Sequence, residues 1–481
     1  MFHLISIENI SKYTGVTPMI ITLEQYAYNS SFHLTSPEPG FMNDMQTFVY
    51  DENQRLWHGY YLWNGDYSWG GNGSSWRHYA TSNWENFTDH GVAIPKYQTK
   101  EGDAASGSIV IDNANLSGYG AGAWLAYVTS YCCGLQTTNL WYSTDNGYTF
   151  SPCESNPVQP NTLHKTNYRD PFAFIHDNHV YLYLAEESEL GVYRSATGKA
   201  PFDYLGSVPI EYMGMIECPA ITTLHCPDLK MDKTVLVFGG NGGGLDTSGT
   251  FLHVGTLDDN MLFQAIETPT PLALDLGADF YGAHIGYETE GAYDNLHCLA
   301  WVSNWSYWQC TAALPAVDSN GNIGCASVPR KVTLRYLDNR YRLETEPAFD
   351  VPAGTLMTTK TATSAGSYAL DSFSNGRGRL RITLEDNNAE NLTLTIGNDK
   401  WRISLALVSA TGVCTVTRWS ILLENNAAFL KPHQITLPAA PTRWDVLIDR
   451  QVVEIFFDTG TSATFATFSD GEAANVVFDV A

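Results

Sequence analysis

The sequence predicts an all-β chain in two parts, a β-propeller over residues 32–345 and a small β-sandwich over residues 360–481. Three observations carry that expectation. Long stretches with helical 3.6-residue periodicity are nearly absent; short apolar runs alternate with clusters of Gly, Asn and Asp; and composition changes abruptly over residues 346–368.

Residues 1–31 match neither pattern and are read as an N-terminal extension. The runs at 57–63, 122–130, 179–185, 234–238 and 296–302 are rich in aromatic and β-branched residues and are bounded by turn formers, the composition of buried strands. Residues 143–150 have the form S-x-D-x-G-x-x-F, a hairpin whose Asp145 fixes the turn, and propeller blades often carry such hairpins. The segments do not repeat closely enough to count blades from the residues, so a double-sheet sandwich competes with the propeller for this region. Pro347, Pro352, Gly354 and Gly366 mark the junction, with residues 346–359 as the linker. Beyond it, runs at 392–396, 401–407, 413–421, 444–448 and 452–457 give five strands separated by polar turns.

The chain has 481 residues, and its 26 Lys and Arg stand against 51 Asp and Glu, a net charge of −25. Such a surface repels phosphate backbones and anionic membranes, so neither nucleic acid nor membrane is expected as a partner. Only 16% of residues are charged and 13% are aromatic, a balance that excludes disorder and coiled coil and suits sugar binding. No run of about 18 apolar residues occurs, and residues 1–30 lack the basic start and apolar core of a secretory signal. The nine Cys are odd in number and lack C-x-x-C spacing, which speaks against a zinc site and a complete disulfide framework. Seven N-x-S/T acceptor sites, at Asn9, Asn29, Asn72, Asn86, Asn115, Asn304 and Asn391, favour export over a cytoplasmic location.

Three carboxylates border apolar stretches: Asp44 after Phe41, Met42 and Asn43; Asp170 between Arg169 and Pro171; and Glu217 between Ile216 and Cys218. A partly desolvated acid has a raised pKa and can stay protonated as a general acid near neutrality. Any single Asp or Glu is more often a turn cap or a partner of a surface base.

In this order and at these separations the three contexts resemble glycoside hydrolase family 32, the invertases, inulinases and levanases. That family's W-M-N-D-P-N-G, R-D-P and E-C motifs fall on Asp44, Asp170 and Glu217. Further matches are Trp76-Arg77-His78-Tyr79-Ala80 for W-G-H-A, Ser106-Gly107-Ser108 for F-S-G-S, and Asp279-Phe280-Tyr281-Gly282-Ala283 for D-F-Y-A. Val302-Ser303-Asn304-Trp305 continues the series, and residues 448–456 resemble the D-R-S-S-V-E-V-F strand of the family's C-terminal sandwich.

The resemblance implies a five-bladed propeller followed by a sandwich, and a fructoside-cleaving enzyme. Asp44 would be the nucleophile, Glu217 the acid/base and Asp170 a stabiliser of the transition state, with Arg169 holding Asp170 ionised. In a retaining enzyme the Asp44 and Glu217 carboxyl groups would lie about 5–5.5 Å apart, and Asp44 would help to raise the pKa of Glu217. Asn43, Trp76, Ser106, Arg169, Tyr281 and Trp305 would contact substrate. No metal or organic cofactor is expected, and the expected partners are a fructose-containing oligo- or polysaccharide and, in a homodimer, a second copy of the chain. A fructosyltransferase of the same family, an inverting arabinan-degrading propeller enzyme and a catalytically silent sugar-binding propeller are the rival readings. Two departures stand out. The first motif continues as Met45-Gln46-Thr47 instead of Pro-Asn-Gly, and Leu62 replaces a Gln expected near the nucleophile, which weighs against simple sucrose specificity.

Overall fold

The computed structural model describes residues 32–481 apart from 39, 67–72, 133, 243–247, 267–269, 289–290, 292, 295, 308–321, 350, 352–354, 374–375, 386–388 and 470–472. The expected extension at 1–31 lies outside the described residues.

Five antiparallel sheets follow one another along the chain. The first is built on Gly40–Met45, Leu56–Asn64, Ser75–Thr81 and Thr88–Ile94, the second on Gly107–Asp112, Ala123–Cys132, Leu135–Ser143 and Ser151–Pro152. The third runs from Arg169–His176 through His179–Glu186 and Glu189–Ser195 to Asp203–Pro209. The fourth is built on Met215–Cys226, Met231–Asn241, Ser248–Leu257 and Phe263–Ala265, and the fifth on Tyr281–Gly286, Leu296–Trp301, Arg330–Leu337 and Arg340–Pro347. The first strands of the second to fifth sheets contact one another in sequence, and that of the fifth contacts that of the first, so the sheets are the blades of a five-bladed propeller around a central funnel. Asn322–Ile323, from the fifth blade's connection, pairs in parallel with Gly40 and Phe41 and fastens the last blade to the first.

The five apolar runs that the sequence marks in this region are the second strands of the five blades. Such a strand is paired on both edges and packed on both faces, so it reads as a continuous apolar stretch. Asp145 fixes its hairpin as expected: it accepts from the Thr149 N–H at 3.0 Å and from the Ser143 hydroxyl at 2.6 Å.

The second part is a sandwich of a five-stranded and a six-stranded sheet. Four of its strands, Asn391–Gly397, Trp401–Val408, Val413–Ser420 and Val452–Phe457, fall on runs marked from the sequence, and Arg443–Asp449 covers the fifth. Trp401–Val408 and Val413–Ser420 alternate buried and outward residues, placing Trp401, Ile403, Leu405, Cys414 and Val416 in the core between the sheets. Among the described residues the only α-helix is the single turn Ala427–Leu430.

Buried charges join the two parts. Arg330 of the fifth blade donates to Asp275 and to Glu454 of the sandwich, both at 2.5 Å, and to the hydroxyls of Ser462 and Thr464. His33 bridges Asp449 and Glu454 at 2.9 and 3.1 Å. Burial alone would lower the His33 pKa, but the two carboxylates outweigh it and push it up to about 9. Its contribution to stability is therefore complete below the ordinary value of 6.5 and is lost as pH rises through about 9. Arg418 of the sandwich donates at 2.6 Å to Asp279, whose other oxygen receives the Tyr307 hydroxyl. The segment that leads into the fifth blade's first strand is thus clamped from the sandwich side. An Arg330→Ala variant strands two buried carboxylates and is expected to lose about 3–5 kcal/mol of stability, measurable as a lower Cm in urea; an unchanged Cm would show that the network is not load-sharing.

Candidate active site

The funnel is ringed by the first strands, and four of the five are bulged where they meet it. Register shifts occur between Met42 and Met45, Arg169 and Phe172, Glu217 and Ala220, and Tyr281 and His284. A bulge re-aims side chains that a regular strand would point into its own sheet. Asp170 and Cys218 also take left-handed backbone, at φ +55° and +47°, a conformation uncommon outside Gly that clusters at functional sites.

Side chains tie each blade's inner strand to the next. Gln46 and Thr47 of the first blade accept from the N–H groups of Gly107 and Ile109 at 2.8 and 3.0 Å. Ser108 accepts from the Ala173 N–H and donates to the Pro171 carbonyl. Asp170 accepts from the Cys218 N–H at 3.0 Å, and Tyr281 donates to Glu217 Oε2 at 2.5 Å. His284 and Thr47, 3.3 Å apart, link the fifth blade to the first.

This ring brings Asp44, Asp170 and Glu217 together with a single guanidinium, that of Arg169. Asp44 is 7% exposed, and its pKa is pushed up to about 7, first by burial and then by the Glu217 and Asp170 carboxylates. The Ser106 hydroxyl opposes the rise, donating to Asp44 Oδ2 at 3.0 Å. The Asn43 amide acts in the same direction. Burial also pushes Asp170 up, to about 6, against the pull of Arg169. Among the described residues no group of three or more His, Cys, Asp or Glu could hold a metal ion.

Several expectations for individual residues are corrected. Arg169 pulls Asp170 toward its ionised form as expected, but its hydrogen bonds go to another partner: its Nε and Nη2 donate to Glu217 Oε1 at 3.1 and 2.9 Å, while Asp170 lies 3.9 Å away. Its Nη1 donates to Asn167 Oδ1, and Nη2 also meets Met215 Sδ. Trp76 is not on the funnel surface; it is fully buried between the first two blades, its indole N–H given to the Ala105 carbonyl. Leu62 packs in the same cluster, so its replacement of a Gln belongs to core packing. Tyr281 is buried with its hydroxyl on Glu217, and the half-buried Trp305 meets its ring edge-on at 6.2 Å. Asn304 is buried and donates to the Ala278 carbonyl, which removes it as a glycan acceptor in the folded chain.

Sequence reasoning missed Gln46, Thr47 and Gly282. Gln46 and Thr47 were visible as a departure but read only as lost residues, although two polar side chains in an apolar neighbourhood signal buried hydrogen bonds. Gly282, at φ +52°, would place a Cβ 2.4 Å from Asp44 Oδ1, so only Gly leaves room for that carboxylate.

Among the described residues the funnel of the five-bladed propeller gathers three carboxyl groups around the Arg169 guanidinium, a set that can supply nucleophile, proton and charge stabilisation for glycoside cleavage. Residues 33–347 match the family model for the glycosyl hydrolases family 32 N-terminal domain, and the chain belongs to that family. It is 35% identical over 327 residues to the levanbiose-producing levanase of Bacillus subtilis, an alignment spanning 66% of this chain and 61% of the levanase. The invertase of Schwanniomyces occidentalis is 24% identical over 501 residues, covering 96% of this chain and 91% of the invertase. In three dimensions the chain resembles the β-fructofuranosidase of that yeast (TM-score 0.75, 20% identity, 96% of each chain covered). It also resembles the exo-inulinase of Aspergillus awamori (TM-score 0.74, 20% identity, 96% and 99% covered). At those identities the likeness shows the fold.

Proposed function

We propose that the protein is a retaining glycosidase that cleaves terminal β-D-fructofuranosyl residues from fructosides, with a levan-type fructan as its substrate. The observation that carries this reading is the convergence of Asp44, Asp170 and Glu217 from three blades. Asp44 attacks the anomeric carbon while Glu217 protonates the departing oxygen, and Glu217 then removes a proton from the water that resolves the fructosyl-enzyme. Asp170 accepts hydrogen bonds from fructose hydroxyls that tighten as the ring flattens, which favours the transition state over the ground state. Arg169 and Tyr281 hold the two oxygens of Glu217 so that its proton is presented to the leaving group. The identity to levanbiose-producing levanases, 35% and 36%, exceeds that to the invertases, 23–27%, and supports levan over sucrose.

Incubation with sucrose, inulin and levan, with the products identified, tests the reading. Free fructose or short fructosides, fastest from levan, are expected; cyclic or lengthened fructosides would instead mean that a sugar hydroxyl resolves the intermediate. Activity should also fall on the acid side as Asp44 is protonated. Its pKa of about 7 places that limb of kcat/KM well above the ordinary carboxylate range. A limb at pH 4 would count against Asp44 as the nucleophile.

A further inference from the structure

Gln46 stands where the family motif has Asn, and its side chain is 1% exposed. Its Oε1 accepts from the Gly107 N–H at 2.8 Å, while Nε2 donates to the main-chain carbonyl of Asp44 at 3.1 Å and to Ser106 Oγ at 3.4 Å. Gly107 N–H can only donate and a carbonyl can only accept, so these two partners permit one orientation of the amide. The Ser106 oxygen thus receives an N–H on a lone pair. Its own proton is left to point at Asp44 Oδ2, 3.0 Å away, and Asp44 Oδ1 has no hydrogen-bond partner.

We propose that Gln46 is a positioning residue for the nucleophile: through Ser106 it keeps a hydrogen-bond donor on Asp44 Oδ2 and so fixes the orientation of the Asp44 carboxyl group. The 3.4 Å contact is too long to contribute much strength; what it supplies is the direction of the Ser106 proton. The inference rests on Asp44 being the nucleophile. Gln46 also joins two blades, since Asp44 belongs to the first and Ser106 and Gly107 to the second, so the nucleophile is aligned by the same contact that closes the blade interface.

The groups facing Asp44 are the carboxyls of Asp170 and Glu217, the Cys218 thiol and the Tyr281 hydroxyl, with Arg169 bonded to Glu217. Against these the Ser106 hydroxyl donates to Asp44 Oδ2 and the Asn43 amide acts in the same direction, and weakening the Ser106 bond raises the nucleophile's pKa further.

Gln46→Leu removes the amide. It is expected to lower kcat about tenfold, with KM within about twofold, and to move the acid limb of kcat/KM to higher pH. Gln46→Glu keeps the shape and the acceptor for Gly107 but puts a second acceptor in place of Nε2. That oxygen competes for the Ser106 proton and adds negative charge, so the loss should reach about 100-fold with a larger upward move of the limb. In a Ser106→Ala background, Gln46→Leu should cost less than about twofold more, because the relay is already broken. Additive losses in that double-mutant cycle, or an acid limb unmoved in folded Gln46→Leu and Gln46→Glu, would overturn the proposal and leave Gln46 a packing residue. Should Gln46→Leu not fold, the isosteric Gln46→Glu carries the test, and wild-type activity in it overturns the proposal equally. The nucleophile assignment fails separately, if Asp44→Asn retains activity; an inactive Asp44→Asn with additive Gln46 and Ser106 losses sinks only the relay.

Discussion

Replacing Asp44 by Asn is expected to lower turnover on levan by on the order of 10⁴-fold or more while raising the stability of the fold. The first effect follows from removing the group that forms the covalent intermediate; when a nucleophile is lost, the remaining machinery acts only on water. The second follows from the site's electrostatics. A buried carboxyl whose pKa is about 7, against an ordinary 3.8, is held in the folded chain at a cost whenever it is ionised. That cost is on the order of 4 kcal/mol above pH 7 and fades as pH falls toward the ordinary value, because the folded state then takes up a proton that the unfolded state still lacks. Asn carries no charge and escapes it. Thermal melts at pH 8 should therefore show a higher Tm for Asp44→Asn than for the wild type, with the gap narrowing by pH 5. An inactive variant that melts lower at pH 8 would mean that the loss came from misfolding, and the electrostatic account of the site would fall with it.

How far the sequence discloses this arrangement depends on which contacts are local. The second strand of every blade is legible because burial on both faces leaves only apolar residues there. The outer strands are not: Thr88–Ile94 begins with three exposed residues, and Ser151–Pro152 and Phe263–Ala265 are two and three residues long, so neither periodicity nor length separates them from loops. The three acids are legible because each breaks an apolar run, and their shared order points to one family. Their partners are not. Arg169 and Asp170 are neighbours in the chain, and adjacency suggests a pair; the bulge between Arg169 and Phe172 instead lets the guanidinium cross to Glu217, 48 residues away. Trp76 illustrates the opposite error. Its motif match is sound, but a motif residue shows that a position is matched and says nothing of which way its ring faces. Contacts between blades join residues far apart in sequence, and the Gln46 to Gly107 bond, 61 residues apart, has no local signature at all.

Glu217 supplies the other large effect. Gln keeps the shape of Glu but carries no acidic proton, so Glu217→Gln is expected to lose about 10²–10⁴-fold in turnover on levan, the usual range for general acid/base assistance. Substrate binding should survive, since the Asp44 and Asp170 carboxyl groups are untouched. The Arg169 guanidinium still finds an acceptor in the amide oxygen, and Tyr281 can turn its hydroxyl to accept from the amide nitrogen. What distinguishes this variant from Asp44→Asn is the response to a leaving group that departs without a proton. With fructosyl fluoride the first step in Glu217→Gln should recover substantially, releasing fluoride in a burst as the fructosyl-enzyme forms, and then slow, because resolution of the intermediate still requires a base to activate water. Adding azide, a nucleophile that needs no base, should speed that second step. Asp44→Asn should show neither burst nor azide response. Equal rescue of both variants, or of neither, would mean that the nucleophile and the acid/base have been assigned to the wrong carboxylates.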